Sequence, residues 1–154
     1  AREEGAKQGL DMQVLEEELN QDVDEVAERL TEKLSSLRRG KWIAAGGEPT
    51  VRVSGEGRGG RCSELAVRLG LRLRDRGIDD AWGLLASSDG LDGTAEAAGF
   101  VLCPDRYSER GHDVDVSEAL ARSDSVSVAD RFAIPIPKNP SGNNLRDIFV
   151  VGRV

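Results

Sequence analysis

Two hydrophobic periods alternate along this chain, and that alternation limits the folds open to it. Val23, Val26, Ala27, Leu30, Leu34 and Leu37 recur at i, i+3, i+4 and i+7, which is one buried stripe of a helix that Gly40 ends. Asp22, with Glu25 three residues on, resembles a capping box at its start. Leu65, Leu69 and Leu73 mark a second helix over residues 64–74, closed by Gly77. Around these lie apolar runs of strand length at residues 12–15, 42–45, 81–86 and 147–151. Residues 50–54 alternate strictly between polar and apolar and are expected to form a half-buried strand. Short helices are expected over residues 94–98 and 117–121, while Pro135, Pro137 and Pro140 stiffen an extended stretch before the last strand. Strands interleaved with helices define a layered α/β domain, and the alternating strand implies a mixed sheet. The expected architecture is α/β/α in three layers.

Composition narrows the partners. With 28 acidic against 21 basic residues the net charge is −7, which argues against nucleic acid and against an anionic membrane surface. No run approaches the roughly 20 apolar residues of a membrane span. Cys62 and Cys103 stand far apart and His112 is the sole histidine, too few ligands for a zinc site and no disulfide framework. A cytoplasmic setting is expected. Trp42 and Trp82 fall in strands and are expected in the core, and His112 in a solvated loop. Residues 1–8 read as the tail of a helix ended by Gly9, so the chain reads as beginning inside a longer protein.

Chemistry concentrates in four stretches. Gly55, Gly57, Gly59 and Gly60, with Arg58 and Arg61, lie between a strand and a helix. Glycines free the backbone for positive φ and close approach, a helix start offers unpaired N–H groups, and guanidinium forks suit carboxylate or phosphate oxygens. This points to an anion site, against a flexible hairpin with solvated arginines. Gly55, Gly57 and Gly60 also satisfy Gly-x-Gly-x-x-Gly, but the strand before them alternates and the acid expected about 20 residues on would be the late Asp89. Asp89 and Asp92, each followed by glycine after a strand, suit a magnesium ion or a substrate hydroxyl, and equally suit two Asp-Gly turns. Glu48 follows Gly46 and Gly47, and residues 140–144 form a polar turn. Cys62, at a helix start beside Arg61, is expected to favour its thiolate, although no histidine accompanies it.

Taken in order, these stretches resemble the C-terminal domain of the glycerate kinase family, the MOFRL domain, whose members often carry the name hydroxypyruvate reductase. The family pattern Gly-Gly-Glu-x-Thr-Val is met at residues 46–51, and Gly-x-Gly-Arg-Gly-Gly-Arg-Asn-x-Glu at residues 55–64. Thr-Asp-Gly-x-Asp-Gly followed by Thr and Ala-Ala-Gly is met at residues 88–99, and Pro-Thr-Gly-Thr-Asn-Val-x-Asp at residues 140–147. Cys62 replaces the usual Asn, Ser88 the usual Thr and Asn143 the second Thr, which touches substrate preference. The resemblance implies a MOFRL-like domain over residues 41–154, preceded by a helix-strand-helix connection, residues 1–40, from a missing Rossmann-like N-terminal domain. It implies phosphate transfer from ATP to the 2-hydroxyl of D-glycerate with Mg2+ in a cleft between the two domains, and a homodimer as an allowed assembly. Arg61, Asp89 and Asp92 would be catalytic, with both acids on the metal. Glu48, Gly57, Arg58, Gly59, Gly60, Ser141 and Asn144 would hold substrate or phosphate. An NAD(P)H-dependent hydroxypyruvate reductase and a non-catalytic anion-binding module are the alternatives.

Overall fold

A computed structural model describes residues 2–108 and 113–154. In chain order the elements are α1 (Arg2–Lys7), β1 (Asp11–Val14), α2 (Val23–Ser36), β2 (Lys41–Gly47), α3 (Arg61–Asp75), β3 (Ala81–Ser87), β4 (Ala97–Leu102), α4 (Pro104–Tyr107), α5 (Asp113–Ala121), α6 (Val126–Ala129), β5 (Ala133–Pro137) and β6 (Asp147–Arg153). The six strands form one sheet in the order β1-β2-β6-β3-β4-β5. Only β1 and β2 run parallel, so the sheet is mixed. His112 lies outside the described residues.

The two predicted stripes build one face. Val26, Leu30 and Leu34 of α2 and Leu65, Leu69 and Leu73 of α3 are fully buried against Ile43, Leu85, Phe100, Phe149 and Val151 of the sheet. Outside the core the two helices are laced by arginines of α3 on acids of α2: Arg68 and Arg72 reach Asp24 at 2.7 and 2.8 Å, and Arg72 reaches Glu28 at 3.0 Å. The Asp22 side chain caps α2 by accepting from the Asp24 amide at 2.9 Å.

The second face is apolar as well, but thinly covered. Strand register places Val14, Ala44, Val150, Leu84, Val101 and Ile134 in one row across all six strands. Val14, Leu84, Ile134 and Ile148 stay 37–44% exposed there. Among the described residues the third layer is α1, where Gly5 sits over Met12 at the β1 edge.

Three segments depart from the sequence reading. Residues 50–54 are not a strand: Thr50 makes a single bridge to Asp22, and the Ser54 amide donates to Ser123 Oγ at 2.9 Å. β2, the strand that leads into this segment, is already flanked by β1 and β6, so it offers residues 50–54 no free side for a hairpin. Residues 94–96 are a turn, and 97–98 already belong to β4, rather than forming a helix. The small residues there serve close strand packing, since a Cβ on Gly99 would stand 2.3 Å from the Leu85 carbonyl oxygen. The proline-rich stretch is itself a strand, β5, at the sheet edge where a missing N–H is tolerated.

Tyr107 closes the core at the start of β3. Its hydroxyl accepts from the Ala81 amide at 3.0 Å and donates to the Ala81 carbonyl at 3.1 Å, and burial pushes its pKa from 10 to about 12. Because the folded phenol ionises later than the unfolded one, its stabilisation is complete below pH 10 and falls as pH rises toward 12. As Tyr107 is the sole tyrosine, absorbance near 295 nm should show no phenolate in the folded chain until pH nears 12. Tyr107→Phe should cost about 1–3 kcal/mol in urea unfolding, and a neutral substitution would contradict this pairing.

Candidate functional site

The ends of three adjacent strands meet at one edge of the sheet, where Gly47, Asp147 and Ser87 lie side by side in register. The loops attached to these ends surround a cleft of about 940 Å3 whose polar lining includes Glu48, Thr50, Arg61, Asp89, Thr94 and Arg146. Residues 122–125, between α5 and α6, close the glycine loop from outside.

The glycine loop is a clasp. Its amides are spent on protein: Gly57 donates to the Arg122 carbonyl at 3.1 Å and Arg58 to Asp124 Oδ1 at 3.1 Å. Gly59 donates to Thr94 Oγ1 at 3.0 Å and Gly60 to Ser63 Oγ at 2.8 Å. None of Gly55, Gly57, Gly59 and Gly60 has positive φ. Glycine is required because backbone passes against its neighbours. A Cβ at Gly59 would stand 2.3 Å from Ser125 Oγ, and one at Gly60 the same distance from Asp92 Oδ1. Gly57, Gly59 and Gly60 line the cleft, but their amides are paired within the protein in this state.

Asp92 accounts for the helix start. Its oxygens accept from the Cys62 and Ser63 amides at 2.8 and 2.9 Å, so a carboxylate from another loop occupies the N-terminus of α3. That is where a helix dipole favours negative charge. Burial pushes the Asp92 carboxyl upward while these bonds pull against it. The buried Cys62 thiol is pushed well up, by burial first and then by Asp92, which reverses the thiolate expectation.

Arg61 is held as firmly. Its Nε and Nη2 donate to the two oxygens of Asp147 at 2.7 and 3.1 Å, and Nη1 donates to Glu48 at 3.1 Å. Asp147 is fully buried, and its hydrogen bond raises the Arg61 pKa further. Arg61, Asp89 and Glu48 thus share one cleft, with Asp147 and Glu48 as the acids on Arg61. Asp89 accepts from the Leu91 amide at 2.9 Å in a tight turn at the cleft wall. Arg58 is exposed and points its amide, not a cleft contact, at Asp124. Ser141 and Asn144 brace the neighbouring loop: Ser141 Oγ donates to the Ser88 carbonyl at 2.7 Å, and Asn144 Oδ1 accepts from the Arg146 amide at 3.0 Å.

A magnesium ion held by both Asp89 and Asp92 does not fit this arrangement, because Asp89 lines the cleft whereas Asp92 is buried beneath it with its oxygens turned to α3. Among the described residues no group of three or more His, Cys, Asp or Glu is placed to hold a metal. Asp89 alone suits magnesium that takes its other ligands from phosphate and water. Sequence reasoning passed over Asp147 and Arg146. The closing Asp of the fourth motif was the signal for Asp147, and nothing local marked Arg146.

The fold and cleft define a two-sided α/β domain with a paired arginine at the mouth of its sheet. Residues 41–147 match the MOFRL family, and the chain belongs to it. It is 42% identical over 103 residues to a glycerate kinase of Macaca fascicularis, covering 63% of this chain and 26% of that protein. It is 32% identical over 118 residues to a glycerate 2-kinase of Picrophilus torridus, covering 75% of this chain and 26% of that one. A crystal structure of glycerate kinase from Thermotoga maritima superposes with a TM-score of 0.83 at 23% identity, over 99% of this chain and 38% of that chain, which shows the shared fold. The chain thus spans about a quarter of the length of those curated relatives.

If Asp92 is the cap of α3, Asp92→Ala should lower unfolding stability by about 2–4 kcal/mol in metal-free buffer, with no response of the wild type to chelator. A variant of wild-type stability that has lost only a metal-dependent signal would return Asp92 to the metal.

Proposed function

We propose that this domain supplies the hydroxy-acid side of a glycerate kinase site, in which phosphate passes from ATP to the 2-hydroxyl of D-glycerate. The observation that carries the reading is Arg61, fixed by a buried acid and facing the same cleft as Asp89. Phosphoryl transfer depends on positioning and charge compensation more than on covalent chemistry by the protein. Arg61 compensates charge on glycerate or on the transferring phosphate. Asp89 orients the attacking hydroxyl and takes its proton as the new P–O bond forms and ADP leaves, or it binds Mg2+. Magnesium, when bound with the nucleotide, neutralises the phosphate oxygens. Glu48 keeps Arg61 aimed, and Asp92 acts by positioning α3.

The donor side would come from a Rossmann-like domain, with residues 1–40 as the connection to it. The length of the relatives supports this division, and the half-exposed apolar sheet face supports a covering body, whether that domain or a homodimer partner. A cytoplasmic enzyme agrees with the lack, among the described residues, of a helix long and apolar enough to cross a membrane. The hydroxypyruvate reductase reading needs the glycine loop to receive a pyrophosphate, and those amides are paired internally. A non-catalytic anion module leaves the placement of Asp89 without a task.

Two assays on the full-length enzyme test the proposal. ADP release with ATP and D-glycerate should fall by about tenfold to more than a hundredfold in Arg61→Ala, the loss of one or two charge-assisted hydrogen bonds. Neither version should oxidise NADH or NADPH with hydroxypyruvate, and the 154-residue chain alone should release no ADP. Nicotinamide oxidation by the wild type without ADP release would overturn the kinase assignment.

A further inference from the structure

Five charged residues line the cleft, Glu48, Arg61, Glu64, Asp89 and Arg146, and only two of them are cations. They differ in how far their donors are committed. Arg61 spends Nε, Nη1 and Nη2 on Asp147 and Glu48, and the Asp147 side chain is wholly buried. Arg146 is 48% exposed and its ion pair is with Glu18, itself 54% exposed. Pairs of this kind exchange readily with ions from solution.

The backbone at Arg146 is also unusual. It has φ of +70°, the left-handed region that glycine and asparagine enter easily and an arginine does not. The neighbours enforce it. The Arg146 amide donates to Asn144 Oδ1 at 3.0 Å, its carbonyl accepts from the Ser88 amide at 3.1 Å, and the Leu145 amide donates to Ser88 Oγ at 2.7 Å. Such a turn lets Asp147 drop to Arg61 while the preceding side chain swings into the cleft. A glycine would make the same turn without strain, as Gly142 does four residues earlier at φ +74°. Non-glycine residues held in strained backbone collect at ligand sites.

Glu18 completes the picture. It precedes the cleft residue Asn20, whose Nδ2 donates to Glu18 at 3.0 Å and whose Oδ1 accepts from the Glu48 amide at 2.7 Å. A carboxylate is thus held against the one lining arginine that is open to exchange.

The geometry points to Arg146 as the residue that takes up the incoming oxyanion, with Glu18 as the carboxylate that the ligand displaces. This rests on the kinase reading for the ligand's identity, and the ligand chemistry is a compact oxyanion: the carboxylate of the hydroxy acid or a phosphoryl group. Arg61 then frames the cleft from within and Arg146 meets the ligand at its mouth. Because the resemblance leaves this motif position open, Arg146 would set specificity for this chain in particular.

The test is calorimetric titration of the 154-residue chain with D-glycerate, which has no phosphate, and separately with inorganic phosphate, which has no carboxylate. Arg146→Gly should weaken binding of at least one probe by about tenfold or more, while its melting temperature holds or rises because glycine relieves the turn. Loss confined to D-glycerate identifies the carboxylate as the group bound, and loss confined to phosphate identifies the phosphoryl group. Glu18→Gln should act in the opposite direction and tighten the same probe, since the rival carboxylate is gone. Unchanged affinity in Arg146→Gly, equal weakening in Glu18→Gln, or no binding of either probe by the wild type would each overturn the inference. ADP release by the full-length enzyme would stand or fall separately, so the two readings can fail independently.

Discussion

The carboxylate of Asp92 is the contact on which the cleft depends. It crosses from the loop after β3 to the first amides of α3 and fixes where that helix begins. Helix position in turn sets Arg61 at the first residue of α3, where its fork meets Asp147 at the start of β6. Two buried acids thus tie three loops that are far apart in sequence. Removing either leaves buried donors or an unpaired charge, and so the clasp is costly to break. Gly60 follows from the same contact, since the Asp92 oxygen crowds the place of a Cβ there, while Gly55, Gly57 and Gly59 answer to residues 122–125.

Much of this fold was legible in the sequence, for identifiable reasons. The stripes of α2 and α3 and the runs of β2, β3 and β6 are local signals, each decided by which side chains face the core. Residues 50–54 misled because alternation records exposure on two sides and says nothing about a neighbouring strand; with both sides of β2 taken they drape against residue 123 instead. The start of β4 reads as helical through Ala95, Ala97 and Ala98, whereas Gly99 beside them answers to the close approach of β3. At the site, the motifs located the right loops but not their physics. Asp92 looked like a ligand residue because its partners, the Cys62 and Ser63 amides, carry no side-chain signal at a separation of about thirty residues. Arg146 was invisible for a different reason: its significance lies in a backbone angle.

A functional division of labour follows. Backbone groups around the cleft hold the protein together, and on the proposed reading the chemistry falls to side chains: Arg61 and Arg146 for charge, Asp89 for a hydroxyl or a metal. At Arg61 such a site is preorganised, since a guanidinium held by Asp147 and Glu48 need not reorient when charge develops. The apolar second face of the sheet, carrying Leu84, Ile134 and Ile148 into solvent beyond the reach of α1, has the character of a surface made to be covered.

Amide hydrogen exchange of the glycine loop and the first turn of α3 tests the central claim most directly. If the loop is a clasp closed by Asp92, the amides of Gly57, Gly59, Gly60, Cys62 and Ser63 should exchange as slowly in the ligand-free chain as those of the central strand β6, and glycerate or phosphate should change them little. If the loop is instead an open anion cradle, the same amides will exchange rapidly without ligand and gain strong protection when either anion is added, and that result would contradict the account.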